Sequence, residues 1–586
     1  MNISYHIKNS KTGIYEKVLA VSAAVCLIVI LTAVSFYFTN GYINIGEDKS
    51  RIFYRVAGAL VPVWTFVCGF YLLQKGRPVR PNGADWFVVL YVAAAILSTL
   101  TSSFRKDAVW GQAGWNMGLL VQLLMVGMYF MARFLCTCGS KRLISFAFNT
   151  CLAITGIVLL LGILNRFSIY PIHMMGEAED FISTIGNINW FCGYWCIWFG
   201  LGCGAFLTAE TAGARVLYGI YVWVCAMAGI SCGSSSSYLA WLGLSFAALM
   251  WALSGYDRMA VLCSAEIIML SALPAIRFIG WLRPYRMWYD SSLLYGFTYE
   301  DAWIAPFVGG VTVFGLLREI FLHLSDKEKR ATECGQHGES TGDGRGGPAG
   351  AERAGVNVGA VILPRIRGIV IGLTVGATLA VAVIIILNSV TEGGIWPVRG
   401  MGIFTWSAAW GNSRGGIWIA TFRILGTMIP ERIFFGVGPD CFCSYAYSRL
   451  DFMTMLGRFI GNQYLTCAHN ELLTMLVNEG IVGLIAYVGL IVTHLAAGIR
   501  RDRNVEADRP EVKQDGSGGA AGMRDQGTFT GLYLAIAAYI SVGTVGFMQI
   551  LSTPFFFVVL GAVLGHGDGS VCVNRTVSLT QKEPSP

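Results

Sequence analysis

The chain has 586 residues, of which 55% are hydrophobic and 13% are charged, and its formal net charge is +7. A soluble globular protein of this length would need far more charge on its surface, so the composition excludes that class. The excess of Lys and Arg lies mostly in short connections between apolar segments, which indicates membrane topology and argues against a nucleic-acid-binding surface.

Apolar segments of about twenty residues recur along the chain, and this is the length that a helix needs to cross the hydrocarbon core of a bilayer. They show no period of two, so the sequence predicts helices and not the strands of a barrel. The predicted fold class is all-α, a polytopic transmembrane helical bundle of about 12 to 14 spans. The apolar runs begin near Val18, Phe53, Trp86, Gly118, Leu143, Phe191, Val216, Tyr238, Met259, Trp303, Ile369, Ile481, Leu532 and Pro554.

Positive charge in the connections assigns the sides of the membrane, because positively charged loops stay cytoplasmic. Positive residues recur in every second connection along the chain, for example Lys17, Lys141 and Arg500. Both termini are therefore predicted to lie in the cytoplasm. The connection that contains Glu177 and the long stretch 391–480 then lie outside. We expect a multi-pass protein of the cytoplasmic membrane.

Composition divides the chain into four parts. Residues 1–324 are predicted to form an N-terminal transmembrane bundle, and residues 368–567 a C-terminal transmembrane domain that includes the extracytoplasmic loop 391–480. Residues 325–367 are rich in Gly, Glu, Arg and Lys and have almost no aromatic residues, which is typical of a disordered cytoplasmic linker. Residues 568–586 are predicted to be a cytoplasmic tail.

Sixteen cysteines are present, most of them inside apolar segments, where cysteine acts as a small hydrophobic residue. Neither Cys136-Thr-Cys138 nor Cys441-Phe-Cys443 has the second pair that a zinc site needs, so no metal is expected. A disulfide between Cys467 and either Cys441 or Cys443 stays open, because spacing alone cannot establish it.

The loop 391–480 is too long for a simple connection and is rich in Trp, Phe and Tyr, so we expect it to fold, partly as helix, against the membrane surface. Ser413 is a natural N-cap for a helix that starts at Arg414 and ends by Pro430. Arg414 would lie in the first turn, where free N–H groups and the helix dipole favour a phosphate. The alternative role of Arg414 is an anchor to lipid headgroups. Arg423 would point to the opposite face of the helix.

Histidine is the side chain most often used as a general base. Of the seven histidines, the predicted topology leaves only His173 and His469 outside, and only His469 lies in the aromatic loop. Its imidazole could take a proton from a hydroxyl nucleophile. The alternative is a histidine that caps a re-entrant helix.

Four segments between residues 186 and 564 share their order and spacing with a known family. Residues 467–487 place Cys-Ala-His-Asn-Glu before a Glu-Gly turn that leads into a span. Residues 413–418 are Ser-Arg-Gly-Gly-Ile-Trp, residues 435–440 are Phe-Gly-Val-Gly-Pro-Asp, and residues 186–189 are Gly-Asn-Ile-Asn. Together these segments resemble the motifs of the O-antigen ligase and O-antigen polymerase superfamily.

The resemblance implies a GT-C-type glycosyltransferase that uses neither a metal nor another cofactor. Such an enzyme moves a glycan from undecaprenyl diphosphate, among the lipids of the outer leaflet, to a hydroxyl of a glycan, lipid or protein acceptor. It implies that His469 activates or orients the acceptor hydroxyl and that Arg414 holds the diphosphate. The other residues expected to bind substrate are Asn470, Asn187, Asn189, Arg423 and Arg399.

The chain departs from the family pattern at one position. The family carries a Ser-Arg pair at the start of a span after the middle of the chain, and residues 233–241 here read Gly-Ser-Ser-Ser-Ser-Tyr-Leu-Ala-Trp. The candidates to replace the missing arginine are Arg283, Arg286 and Arg399, which are all predicted to lie outside.

A transporter or flippase of lipid-linked sugars is the main alternative function. Its support is Glu266, a carboxyl group near the middle of a predicted span, where a charge costs about 2.5 to 3.5 kcal/mol. The other interpretation is a protonated Glu266 that hydrogen bonds to a neighbouring helix. Ligases and polymerases share the motifs above, so the sequence does not separate them, and a non-catalytic scaffold is a third alternative.

Overall fold

The computed structural model describes residues 2–75, 83–178, 180–282, 304–339, 358–391, 394–395, 397–461, 464–507 and 519–565. These ranges are almost entirely helical, as a bilayer requires, because a helix satisfies its own backbone N–H and C=O groups. Within them the only strands are β1 (Phe181–Ile182) and β2 (Gly186–Asn187), which are antiparallel and pair Phe181 with Asn187.

Eleven helices of the described ranges are long and apolar enough to cross a membrane, and three shorter apolar helices accompany them. They correspond in order to the apolar runs of the sequence, so the prediction of an all-α, multi-pass bundle is confirmed. The helices are α1 (Asn2–Phe36), α2 (Ile45–Lys75), α3 (Gly83–Thr101), α4 (Arg105–Trp110), α5 (Leu119–Cys138), α6 (Lys141–Arg166), α7 (Ile188–Leu207), α8 (Ala212–Ser231), α9 (Ser236–Ala252), α10 (Tyr256–Leu270), α11 (Ala272–Leu282), α12 (Ile304–Glu339), α13 (Val358–Val390), α14 (Arg414–Gly426), α15 (Pro430–Phe435), α16 (Phe442–Tyr447), α17 (Leu450–Ile460), α18 (Glu471–Ala507), α19 (Gly519–Gly543) and α20 (Thr553–Gly565). The short helices α4 and α14 to α17 belong to connecting loops, and α10 with α11 forms one candidate span.

Helices α7 and α19 pack closely at the centre of the bundle. α7 is buried along nearly its whole length. Small residues allow the two backbones to approach, since a Cβ added to Gly204 would lie 2.1 Å from the Cα of Gly531. Such contacts matter in a bilayer because lipid supplies no hydrophobic force between helices. The helices are antiparallel, so the start of α7 lies beside the end of α19.

The loops that carry the sequence motifs meet at this same end of the bundle. The Arg414 Nε donates a hydrogen bond to the carbonyl of Val545 (3.0 Å), in the connection after α19. The Asp440 Oδ2 accepts hydrogen bonds from the backbone N–H groups of Gln112 (2.7 Å) and Met117 (2.9 Å), in the connection before α5. These contacts agree with the sequence prediction that the connections before α5, before α18 and after α19 share one side of the membrane.

The boundaries of the predicted linker differ from the sequence expectation. α12 ends at Glu339 and α13 begins at Val358, so both helices reach into residues 325–367. Lys, Glu and Arg are good helix formers and extend α12 beyond its apolar part, whereas α13 begins earlier than predicted with the apolar residues 358–363. Residues 340–357 and the predicted tail 568–586 lie outside the described residues.

Candidate functional site

A small cavity lies where the loops meet the ends of α7, α9 and α19. His469 and Arg414, the two residues predicted to be catalytic, both line this cavity, and so does Asn189. The fold thus brings together three segments that are far apart in the sequence. The lining residues are Asn189, Gly193, Ser236, Arg414, His469, Glu471, Tyr539, Val542, Val545, Gly546, Phe547, Gln549 and Ser552.

His469 is held in a backbone conformation that few residues adopt. Its φ is 47°, in the left-handed region where side chains are uncommon and which is often found at functional sites. The residue before it, Ala468, fixes this turn: its N–H donates to Thr474 Oγ1 and its carbonyl accepts from Trp418 Nε1, each at 3.1 Å. The imidazole packs edge-on against the ring of Phe547, with centroids 5.4 Å apart.

The imidazole of His469 is neutral at physiological pH. Burial lowers its pKa, and the positive charge of Arg414 lowers it further, to about 4. A neutral imidazole has one ring nitrogen that can accept a proton. The side chain is therefore in the form that a general base needs.

The first turn of α14 differs from its sequence prediction. Ser413 occupies the N-cap position before Arg414 as predicted, but it adopts a left-handed φ of 67° and its side chain makes no capping hydrogen bond. The backbone N–H groups of Gly415 and Gly416 donate instead to the carbonyls of Trp410 and Ala408, each at 2.9 Å. Because the folded-back loop uses these N–H groups, an anion here would depend on the arginine side chain and not on the helix terminus.

The guanidinium of Arg414 is aimed by two backbone carbonyls. Its Nε donates to Val545 (3.0 Å) and its Nη1 donates to Gly411 (2.9 Å). Among the described residues none accepts a hydrogen bond from Nη2, which leaves its two N–H groups for a ligand. Burial lowers the pKa of Arg414, but a guanidinium stays charged at neutral pH.

An arginine lies beside the serine run at residues 234–237. Arg166, the last residue of α6, is 3% exposed, and its Nε donates to the carbonyl of Ser231 (2.6 Å). A Cβ added to Gly233 would lie 1.9 Å from its Nη2. The next residue, Ser234, donates from Oγ to Asn189 Oδ1 (2.7 Å), which connects this turn to the cavity lining. Arg166 was not among the residues predicted from the sequence, which shows its place at the end of a predicted span but not its neighbours.

Glu471 is a second residue of the cavity that the sequence analysis did not select. Its two carboxyl oxygens accept hydrogen bonds from the hydroxyl groups of Tyr487 and Tyr539, each at 2.8 Å. Tyr539 also shares a hydrogen bond with Thr553 (2.9 Å). The signal available in the sequence was the position of this carboxyl group two residues after His469.

Two of the predicted substrate-binding residues are helix caps and do not line the cavity. Asn187 Oδ1 accepts a hydrogen bond from the N–H of Asn189 (2.9 Å) at the start of α7. Asn470 Oδ1 accepts one from the N–H of Leu473 (2.9 Å) at the start of α18, and its Nδ2 donates to the carbonyl of Thr544 (2.9 Å). Both amides therefore position their neighbours, Asn189 and His469, at the site.

The other arginines that the sequence suggested lie elsewhere. Arg423 is exposed and lines a separate surface cavity that also includes Asp451. Arg399 is exposed, in the connection after α13. Arg283 and Arg286 fall outside the described residues.

The two glycine-containing motifs pack against each other below the site. The N–H groups of Val437 and Gly438 donate to the carbonyls of Val477 (3.1 Å) and Asn478 (2.9 Å). Gly480, with φ of 71°, breaks α18 at this contact, and a Cβ there would lie 2.3 Å from a carbonyl oxygen of the facing turn. The turn 435–440 and the Glu-Gly break thus form one unit.

No group of three or more His, Cys, Asp or Glu side chains in the described ranges is arranged to hold a metal ion. Cys441, Cys443 and Cys467 are buried free thiols, so the disulfide that the sequence left open is not formed. In the comparisons with known proteins, no protein-family model matches the chain and no curated protein matches it.

Proposed function

We propose that this protein is an integral membrane glycan transferase of the GT-C type, resembling O-antigen ligases and polymerases. It moves an oligosaccharide or polysaccharide from undecaprenyl diphosphate to an acceptor hydroxyl at the outer face of the cytoplasmic membrane. The observation that carries this proposal is that His469 and Arg414 line one cavity. A neutral imidazole and a fixed guanidinium are the two groups that displacement of a diphosphate by a hydroxyl needs.

In this proposal His469 is the general base. Its free ring nitrogen accepts the proton of the acceptor hydroxyl while the acceptor oxygen forms a bond to the anomeric carbon. The bond from that carbon to the diphosphate oxygen breaks, and its electron pair leaves with undecaprenyl diphosphate. A bound diphosphate would also offset the positive charge of Arg414, which lowers the pKa of His469, and so would make the imidazole a stronger base.

Arg414 stabilises the leaving group. The diphosphate gains negative charge as the glycosidic bond breaks, so a guanidinium fixed beside it stabilises the transition state more than the bound donor. The two hydrogen bonds of Arg414 to backbone carbonyls hold it in place before the donor arrives. Its Nη2 supplies the donors for a diphosphate oxygen.

Arg166 supplies a second positive charge, behind the serine turn. It lies against Gly233, and the neighbouring Ser234 is hydrogen-bonded to Asn189 in the cavity lining. A buried charge acts over a longer distance than an exposed one, because little water or salt screens it. In the family that the sequence resembles, an arginine lies within this turn. We propose that Arg166 supplies the positive charge that this arginine would carry.

The test uses purified protein in proteoliposomes with an undecaprenyl-diphosphate oligosaccharide and candidate glycan, lipid and protein acceptors. His469→Ala should lower the rate of transfer by about 100- to 10,000-fold, the usual contribution of a general base. Arg414→Ala should lower it by about 100- to 1,000-fold. The matched controls His173→Ala and Arg423→Ala change exposed residues away from the cavity and should transfer at the wild-type rate.

Other outcomes would favour the alternatives. Wild-type protein that moves the lipid across vesicles without cleaving it would indicate a flippase, the function for which Glu266 was the support. Glu266 lies close to Ser245 of the neighbouring helix α9. Products that grow by repeated addition would indicate a polymerase, and a single addition to an acceptor would indicate a ligase.

A further inference from the structure

A second cavity lies on the other side of the segment that carries His469. Phe547 lines both cavities. The carboxyl and amide groups of the second cavity come from three elements that are distant in the sequence. They are the first turn of α5, with Gln122, the glycine-rich turn, with Asp440, and α18 immediately before its break, with Asn478 and Glu479.

Oxygen atoms without partners are concentrated in this second cavity. Gln122 Oε1, Asn478 Oδ1 and Glu479 Oε2 are buried and accept no hydrogen bond from any described residue. The three residues are 4%, 7% and 1% exposed. The remaining oxygen of Glu479 does have a partner, since Gln122 Nε2 donates to Oε1 (2.6 Å). A buried acceptor without a donor costs about 1–3 kcal/mol, so three of them in one cavity indicate a bound ligand.

The charges around the second cavity indicate the sign of that ligand. Asp440 and Glu479 both line it, and no Lys, Arg or His among the described residues does. A carboxylate at membrane depth needs a compensating partner. α18 breaks at Gly480, directly after Glu479, and the C-terminal end of a helix carries a partial negative charge that favours a cation. Broken helices in membrane proteins hold cations in this way.

We propose that the second cavity binds a sodium ion through oxygen atoms of Gln122, Asp440, Asn478 and Glu479. Carboxylate and amide oxygens are the ligands that hard cations prefer. A single positive charge is sufficient, because backbone N–H groups already hydrogen bond to Asp440 and the amide of Gln122 hydrogen bonds to Glu479. The ion joins α5, the glycine-rich turn and α18 below the His469 segment. The proposal does not depend on the transfer reaction.

The test measures sodium binding to the purified full-length protein in detergent. The protein is first exchanged into N-methyl-D-glucamine chloride, and NaCl is then added at constant ionic strength. We expect a saturable rise in the thermal unfolding midpoint, because a ligand that binds only the folded state stabilises it. Radioactive sodium in a scintillation proximity assay should bind with a stoichiometry of about one per chain. Lithium, potassium, calcium and magnesium chlorides are tested in parallel.

Three variants decide whether sodium binds in this cavity. Glu479→Gln and Asn478→Ala should each weaken sodium binding at least about tenfold. The control Asp451→Asn, which removes an exposed carboxylate, should bind like the wild type. Asn478→Ala keeps the backbone contacts of residue 478 and serves if Glu479→Gln does not fold. Equal stability with and without sodium would mean that water fills the cavity and would overturn the proposal, as would a larger response to calcium or magnesium.

Discussion

His469 can act as a general base only while its imidazole is neutral. The surroundings of the side chain set its pKa and therefore the pH below which activity is lost. Burial and the charge of Arg414 lower its pKa to about 4. We therefore expect kcat/KM for glycan transfer to be flat between about pH 8 and 5 and to decrease as the pH falls through about 4. An imidazole with the ordinary pKa of about 6.5 would lose activity roughly 2 to 3 pH units higher. Initial rates in proteoliposomes measure the profile.

Asp440 is a buried carboxyl outside the membrane spans whose titration could obscure this profile. Burial raises its pKa to about 7, and its backbone partners hold the connection before α5 near the site. The profile is therefore repeated with Asp440→Asn, which removes any change near neutral pH that comes from this carboxyl. A decrease centred near pH 6.5 that persists in Asp440→Asn would show that His469 is not depressed as the cavity requires.

Single residues also show the limit of what the sequence could predict. His469 and Arg414 could be selected because few histidines and arginines occur in the aromatic loop and their motifs have a recognisable spacing, and the structure places both in one cavity. Asn187 and Asn470 were assigned to substrate, but they are caps. An amide oxygen can accept from a backbone N–H or from a ligand, and only the local geometry decides which.

Among the structural elements, the contact between the glycine-rich turn and the break in α18 can be tested directly. Gly480→Ala places a Cβ 2.3 Å from the carbonyl oxygen of Phe434, at a φ of 71° that alanine adopts poorly. We expect a loss in the free energy of unfolding of at least about 1–2 kcal/mol, measured as a lower unfolding midpoint in detergent. The rate of transfer should fall as well, because this contact supports the segment of His469.

Gly457 provides the control for that substitution. It lies in α17, exposed, with no atom within 4 Å of an added Cβ. Gly457→Ala should leave stability unchanged or raise it by up to about 1 kcal/mol, since alanine is the better helix former. Equal losses in both variants would mean that the turn and the broken helix do not support each other.

The elements were predictable to different degrees for physical reasons. Spans follow from the length of apolar runs, so their number and order could be predicted. The absence of a side-chain cap at Ser413 could not be predicted. Backbone carbonyls of the loop accept the hydrogen bonds of the first turn, in place of the serine side chain. The approach of Arg166 to the serine run could not be predicted either, since it depends on which helices are neighbours, and the sequence pattern carries no information on that pairing.

At the scale of the whole molecule, the site is assembled at one end of the bundle. The C-terminal ends of α6 and α19, the N-terminal end of α7 and the loop before α18 all contribute to it. A residue that one span separates from the site along the chain must therefore lie on the opposite face of the membrane. The packing of the helices shows which connections lie on the same side of the membrane, but not which side that is. The positive-inside rule predicts that the end of the bundle with the site faces outward.

Cysteine labelling in intact cells determines which face the site occupies. His173 and Glu210 are both exposed and are separated by one candidate span, α7. We expect a membrane-impermeant maleimide to label His173→Cys in intact cells and Glu210→Cys only after permeabilisation. Labelling is counted above that of the wild-type protein, whose described cysteines are buried or half-buried. If Glu210→Cys is labelled first, His469 and Arg414 face the cytoplasm, where they could not use a donor in the outer leaflet, and the transferase proposal is wrong.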